Sequence, residues 1–142
     1  MQLQNTASLE RPKTANIGLW SVQILLAVVF GAAGYMKATY PIGELVTYFI
    51  WPGQVHPLLV RFIGVSELAA AFGLILPSAT RILPKLTPLA AAGLVLIMIL
   101  AFGFHFSRGE YAVLPMNVGL GALAAYAAWG RLVQAPVPAR HF

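Results

Sequence analysis

Glu67 is the only charged residue between positions 62 and 80, in a stretch otherwise apolar enough to cross a membrane. A carboxylate at membrane depth is energetically costly, so such residues usually pair with a cation, exchange a proton or bind a ligand. Two interpretations of Glu67 follow. In the first, it forms an ion pair with Lys37 or Arg61 that fixes the helix register and does no chemistry. In the second, it exchanges protons or anchors a ligand.

Four other polar residues occur near the ends of apolar stretches and complete the set of candidate ligand-binding or proton-binding residues. They are Lys37, Arg61, His105 and Asn117. A histidine can exchange a proton near neutral pH. Lysine and arginine can pair with Glu67 or extend toward the membrane interface as anchors. An asparagine in a membrane helix commonly forms a hydrogen bond between helices.

Several kinds of chemistry lack the residues they need. The chain contains no cysteine, which excludes disulfides and thiolate metal sites. His105 is the only histidine inside an apolar stretch, so one chain cannot provide both ligands of a bis-histidine haem. The metalloprotease, serine-hydrolase and nucleotide-binding motifs are absent from any usable context. We therefore predict no autonomous catalytic site and no covalent or metal cofactor, and whether the protein takes part in an enzyme stays open.

The elements that carry these residues are predicted to be membrane-spanning helices. Charged residues make up 9% of the chain and hydrophobic residues 59%, whereas soluble domains have about 25% charged residues. A spanning helix needs about 20 apolar residues, and four stretches reach that length. The predicted fold is all-α, with one four-helix membrane domain over residues 17–134. Its helices cover about 17–36, 58–76, 88–106 and 112–132, between a loosely ordered polar tail (1–16) and a C-terminal tail (135–142).

Residues 40–57 are too short and too interrupted to cross a membrane. Apolar residues there recur at helical spacing, and the segment ends in Trp51-Pro52-Gly53. This pattern predicts a short helix that lies in the membrane interface between the first and second spanning helices.

The distribution of basic residues predicts the orientation of the four helices. Six of the nine lysines and arginines fall on the side of the chain termini: Arg11, Lys13, Arg81, Lys85, Arg131 and Arg140. Because cytoplasmic loops carry the excess of Lys and Arg, both termini are predicted to be cytoplasmic. The basic residues do not cluster with aromatic residues, so nucleic acid is not an expected partner.

The same topology places the candidate residues in the outer half of the bundle. Each helix contributes polar atoms there, which predicts a pocket open to the outer interface with Glu67 at its floor. Gln23 is the one strongly polar residue in the inner half of the first helix.

Short motifs at the helix ends give the chain a family resemblance. They are Gly34-Tyr35-Met36-Lys37, Gly64-Val65-Ser66-Glu67-Leu68, Gly73-Leu74-Ile75-Leu76-Pro77 and Ala101-Phe102-Gly103-Phe104-His105. Over residues 17–129 the sequence resembles the DoxX family of small four-helix membrane proteins. The resemblance implies a multi-pass protein of the bacterial cytoplasmic (inner) membrane. Lys37, Glu67 and His105 match recurrent family residues that have no agreed chemical roles.

The resemblance also shapes the functional hypotheses. The family takes its name from a subunit of a thiosulfate:quinone oxidoreductase, and some relatives are linked to redox or thiol-stress assemblies. The first hypothesis is a non-catalytic subunit that binds a quinone or similar lipophile in the outer-half pocket, beside a membrane or soluble oxidoreductase subunit. The alternatives are a structural or scaffolding membrane protein, and a small proton-coupled transporter that uses Glu67. The lipid bilayer is the expected surrounding, and a homo-oligomer is left open.

Overall fold

Helices form nearly all of the chain. The computed structural model describes residues 3–141, with side chains from residue 13 onward. Its α-helices are α1 (Leu3–Thr39), α2 (Ile42–Leu45), α3 (Pro57–Thr80), α4 (Leu86–Ser107) and α5 (Leu114–Trp129). Short 3-10 turns occupy Trp51–Gln54 and Tyr111–Val113, and a π-helical turn, Gly130–Gln134, continues α5. Residues 3–141 contain no β-strand, which confirms the predicted all-α class.

Within residues 3–141, four segments are long and apolar enough to cross a membrane, as predicted. They are Lys13–Thr39, Pro57–Thr80, Leu86–Ser107 and Tyr111–Gln134, with mean hydropathy between 1.4 and 2.3. Many of their large apolar side chains, such as Phe62, Ile99 and Leu100, are exposed on the outside of the bundle. That surface suits lipid, because lipid tails can solvate apolar side chains that water cannot.

The helices pack as two close pairs joined through α3 and α4. α1 lies along α3, α4 lies along α5, and α3 contacts α4. The buried centre contains Leu26, Phe30, Leu74 and Leu94, with small residues of α5 against them. We call the end of the bundle that carries both chain termini and the α3–α4 turn the proximal end. The opposite end, with residues 40–56 and 108–113, is the distal end.

α1 and α3 approach most closely at two glycines near the distal end. A Cβ atom added at Gly64 would lie 2.6 Å from the backbone nitrogen of Ala38 and 2.8 Å from the carbonyl oxygen of Gly34. Since real Cβ atoms are not found at such distances, only glycine fits there. This contact brings the last turn of α1 against the turn of α3 that carries Glu67.

Helix α1 begins earlier than the sequence predicted. The tail expected to be loosely ordered over residues 1–16 is helical from Leu3. This segment contains many strong helix formers, including Gln4, Ala7, Leu9 and Glu10. Once a long helix is nucleated, each added residue extends it at little cost, so helical structure continues beyond the apolar span.

The other boundaries differ by about one turn. α3 passes through Pro77, where it was predicted to stop, and ends at Thr80, because the next residue, Arg81, has a left-handed φ of 61°. The Ser78 hydroxyl donates a hydrogen bond to Thr87 Oγ1 at 2.8 Å, which ties this extra turn to α4. The predicted interfacial helix is present but only one turn long, because Gly43 and the β-branched Val46 and Thr47 are weak helix formers.

Candidate functional site

Lys37 and Glu67 form a buried ion pair between α1 and α3. Lys37 Nζ lies 2.8 Å from Glu67 Oε1 and 2.7 Å from Oε2, so one ammonium group contacts both carboxylate oxygens. The two residues are 7% and 2% exposed. Charges removed from water in this way persist only when they are paired and hydrogen-bonded. The pairing is one of the two interpretations of Glu67 that the sequence left open.

Aromatic residues of the segment between α1 and α3 (residues 40–56), which we call the distal loop, cover this pair. Lys37 Nζ lies 5.1 Å from the ring centre of Phe49 and 5.9 Å from that of Trp51, within range of a cation–π attraction. Arg61 Nη1 donates a hydrogen bond of 2.6 Å to the Lys37 carbonyl oxygen, which the end of α1 leaves without a helical partner. Arg61 therefore supports the pair through the backbone and forms no ion pair with Glu67.

His105 belongs to a second polar cluster, at the distal end of α4. His105 Nδ1 lies 2.5 Å from Glu110 Oε2, and Arg108 Nε lies 3.0 Å from Glu110 Oε1. Arg108 also donates a hydrogen bond to Gln54 Oε1, which connects the α4–α5 turn to the Trp51–Gln54 turn. The hydrogen bond with His105, followed by that from Arg108, lowers the pKa of Glu110 below its usual range.

The two clusters meet at an aromatic contact. The Phe104 ring lies edge to face against Trp51, with 6.2 Å between ring centres. Trp51 thus contacts Lys37 on one side and the residue before His105 on the other. The distal loop fastens both helix pairs together.

Glu110 is expected to give the distal cluster a pH-dependent stability. A carboxyl group whose pKa is lowered in the folded state stabilises the fold above its unfolded pKa, near 4.5, and loses that contribution as pH falls through its folded pKa. Wild type should therefore have a higher Tm than Glu110→Gln near neutral pH, and the difference should shrink on acidification below pH 4.5.

Thermal unfolding in detergent over a pH series measures this difference. Glu44→Gln is the matched control, because it removes an exposed carboxylate that forms no ion pair with the side chains of residues 13–141. A Tm difference for Glu110→Gln that stayed constant from neutral to acidic pH would contradict the assigned interaction.

Asn117 lies apart from both clusters, in an apolar groove between α4 and α5. The groove has a volume of about 360 Å³. Its walls are formed by Val95, Met98, Ile99, Phe102, Val118, Gly121 and Ala122. Asn117 is 6% exposed, and its buried Nδ2 has no hydrogen-bond partner among the described residues. A buried donor without an acceptor is unfavourable by about 1–3 kcal/mol, so an unsatisfied donor lies buried beside the groove.

A third polar cluster, at the proximal end, was not predicted as a site. Arg131 is 4% exposed, and its Nε donates a hydrogen bond of 2.6 Å to Gln23 Oε1. Gln23 in turn donates through Nε2 to the carbonyl oxygen of Leu74. From the sequence, Gln23 was identified as a polar residue within a spanning helix, and Arg131 was used only to predict the orientation of the helices. A buried glutamine without a partner in its own helix was the signal that could have revealed this cluster.

The five predicted residues therefore occupy three places. Lys37, Glu67 and Arg61 come together, His105 joins the neighbouring cluster, and Asn117 lines the groove. The pocket open to the outer interface and floored by Glu67 stays a prediction, and in the structure Phe49 and Trp51 lie over Lys37, the partner of Glu67. Within the part of the chain that the structure describes, no three His, Cys, Asp or Glu side chains group as a metal site.

Comparison with known proteins gives one match. The model of the DoxX-like family matches residues 21–127, which include all four spanning segments in whole or in part. Neither the curated proteins nor the solved structures gave a significant match.

Proposed function

Because this chain belongs to the DoxX-like family, we propose that it is a non-catalytic membrane subunit of a redox assembly. In this proposal it binds a quinone, or a lipophile of similar chemistry, in the groove between α4 and α5. The unpartnered Nδ2 of Asn117 is the observation that carries the proposal. A partner subunit would supply the redox centre.

The groove has the size and chemistry that a small carbonyl-bearing ring requires. Ligand sites are typically about 300–1,000 Å³ and mostly apolar, with a few polar groups that orient the ligand. Here Met98 and Phe102 provide apolar and aromatic surface, and Asn117 provides one donor. If the Asn117 amide turns from its buried position into the groove, a quinone carbonyl oxygen would accept the hydrogen bond that Nδ2 lacks.

The Lys37–Glu67 pair supports a structural role within the same protein. Both carboxylate oxygens contact Lys37, and Phe49 and Trp51 lie over the ammonium group. Ligand binding or proton exchange at Glu67 would require this pair to open. The closed pair favours scaffolding as the second candidate function, in which the polar groups only hold the bundle together.

The proposed location is the bacterial inner membrane with both termini in the cytoplasm. Arg81, Lys85, Arg131 and Arg140 lie at the proximal end, while Lys37, Arg61 and Arg108 lie toward the distal end. An excess of Lys and Arg is the usual mark of the cytoplasmic side. The distal end would then face the periplasm, and the quinone groove would open to the outer half of the membrane.

Binding of a short-chain ubiquinone analogue to the detergent-purified protein tests the proposal. Asn117→Leu removes the donor with little change in volume, and should weaken binding about five- to tenfold, the value of roughly one hydrogen bond. Ala122→Phe should also weaken binding, because its ring would fill the groove from the exposed wall.

Ala125→Phe is the control for the second variant, since Ala125 is exposed on α5 outside the groove. Equal affinity in wild type, Asn117→Leu and Ala122→Phe would reject the groove as the quinone site. Absence of any quinone binding by wild type would leave the scaffolding function as the better account of the fold.

A further inference from the structure

A pocket at the proximal end is lined by four basic residues. It has a volume of about 560 Å³ and lies between the α3–α4 turn and the chain that follows α5. Arg81 and Lys85 come from the turn, and Arg131 and Arg140 come from the end of α5 and the tail. Leu86 and Leu132 contribute apolar surface beside them.

Arg131 is the buried member of this group, and every partner that it has is uncharged. Its Nη1 donates hydrogen bonds to Asn16 Oδ1 at 2.6 Å and to the Ala135 carbonyl oxygen at 3.1 Å. Its guanidinium carbon lies 5.3 Å from the ring centre of Trp20. Its Nη2 is buried and has no hydrogen-bond partner within the described part of the chain. A buried cation normally has a counter-charge, and Arg131 forms no ion pair with any side chain from residue 13 to 141.

None of the acidic side chains that the structure describes pairs with Arg131. The chain has four acidic residues. Glu67 and Glu110 are paired with cations in the distal half, and Glu44 lies in α2 at the distal end. Glu10 is on the proximal side, and its side chain lies outside the described part of the structure.

The tail forms a fixed wall of the pocket. The backbone nitrogen of Arg140 donates a hydrogen bond of 2.9 Å to the Arg81 carbonyl oxygen, which holds the tail against the α3–α4 turn. The Arg131 contact with Ala135 fastens the start of the same tail. The basic side chains are thus brought together by backbone contacts, despite their mutual repulsion.

We propose that this pocket binds a phosphate-bearing anion, the chemistry shared by the headgroup of an anionic phospholipid and by free phosphate. Guanidinium groups match phosphate oxygens in charge and geometry. Basic pockets between membrane helices on the cytoplasmic side are suited to anionic headgroups. The apolar wall beside the cations would contact the upper part of an acyl chain. This site is separate from the quinone groove and does not depend on it.

Lipid retention measured by native mass spectrometry tests the proposal. The full chain is released from nanodiscs of phosphatidylcholine that contain phosphatidylglycerol as the minor component. Wild type should retain phosphatidylglycerol preferentially. Arg131→Gln and the double variant Arg81→Gln/Arg140→Gln should each reduce the preference about fivefold or more, the effect of removing roughly one cation near an anionic headgroup. Lys13→Gln, an exposed cation on the same side but outside the pocket, should leave it unchanged.

A second arm distinguishes the source of the phosphate group. Wild type in a neutral detergent is titrated with inorganic phosphate, and the shift in Tm is compared with that of Arg131→Gln. If wild type prefers phosphatidylglycerol but inorganic phosphate does not shift its Tm, the ligand is a lipid headgroup. If inorganic phosphate raises the Tm of wild type but not of Arg131→Gln, and no lipid is preferred, the ligand is a free anion. If wild type shows neither effect, or if the pocket variants match Lys13→Gln, the proposal is overturned. Should Arg131→Gln not fold, the exposed Arg81→Gln/Arg140→Gln pair decides, because both side chains are on the surface.

Discussion

Replacing Lys37 by Met is expected to lower the free energy of unfolding by about 3–5 kcal/mol. The substitution removes the ammonium group that contacts both oxygens of Glu67 and leaves a carboxylate buried at 2% exposure. Most of the expected loss comes from that unpaired charge. The attraction of the pair itself is largely offset by the cost of removing both groups from water.

The double variant Lys37→Met/Glu67→Leu separates these two contributions. With both charged groups replaced by apolar ones, no unpaired charge remains, and the double variant should be more stable than Lys37→Met alone. Unfolding with sodium dodecyl sulfate in mixed micelles gives the free energies for the four proteins of the cycle. Lys13→Met, which removes an exposed lysine, should change stability by no more than about 0.5 kcal/mol. Additive losses in the double variant would show that Lys37 and Glu67 do not act as a pair.

The Lys37–Glu67 contact shows what a sequence of this kind can predict. A single carboxylate within an apolar span needs a partner, and few cations lie near enough along the predicted topology to provide one. The helical spans follow from the same simple rule, since about 20 uncharged residues match the membrane thickness. Both inferences rest on the large free energies of transferring charged or apolar residues from water into the membrane, which depend mainly on residue type.

The contacts of His105 and Arg131 depend on how the helices are rotated, which composition does not specify. Glu110 follows the end of α4, and the tight turn there brings its carboxylate back to His105. Gln23 and Arg131 are 108 positions apart, and they meet because α1 packs against the end of α5. A hydrogen bond between residues so far apart in the sequence contributes only about 1 kcal/mol. It forms because the helices pack in this arrangement, and it is too weak to determine the arrangement.

Helix boundaries were the least predictable part for a related reason. Pro77 suggested a stop, but membrane helices tolerate an internal proline when neighbouring groups satisfy the freed backbone, and the Ser78–Thr87 hydrogen bond holds the turn beyond Pro77 against α4. The polar segment before Lys13 lacked any apolar signal, and its helical structure follows from propensity and from its attachment to a long helix.

Gly64→Ala is expected to destabilise the bundle by about 1–3 kcal/mol, through overpacking at the crossing of α1 and α3. The added methyl group would lie 2.6 Å from the backbone nitrogen of Ala38 and 2.8 Å from the backbone carbon of Lys37. Backbone atoms cannot turn aside as a flexible side chain can, so the helices must separate. Gly93→Ala in α4 is the matched control, because an added Cβ there meets nothing within 4 Å. It should stabilise the helix by about 0.5–1 kcal/mol, since alanine replaces glycine without a clash.

The two large effects should be coupled, because the glycine contact is what brings Lys37 within reach of Glu67. Separation of α1 from α3 would lengthen the Nζ–carboxylate contacts, so part of the loss in Gly64→Ala should come from weakening the ion pair. In the Lys37→Met/Glu67→Leu background there is no ion pair to weaken, so Gly64→Ala should lower the free energy of unfolding by less than it does in wild type. The comparison uses the same mixed-micelle unfolding for both backgrounds. Equal losses would mean that the helices can move apart at Gly64 without disturbing the pair, and the close approach would then matter for packing alone.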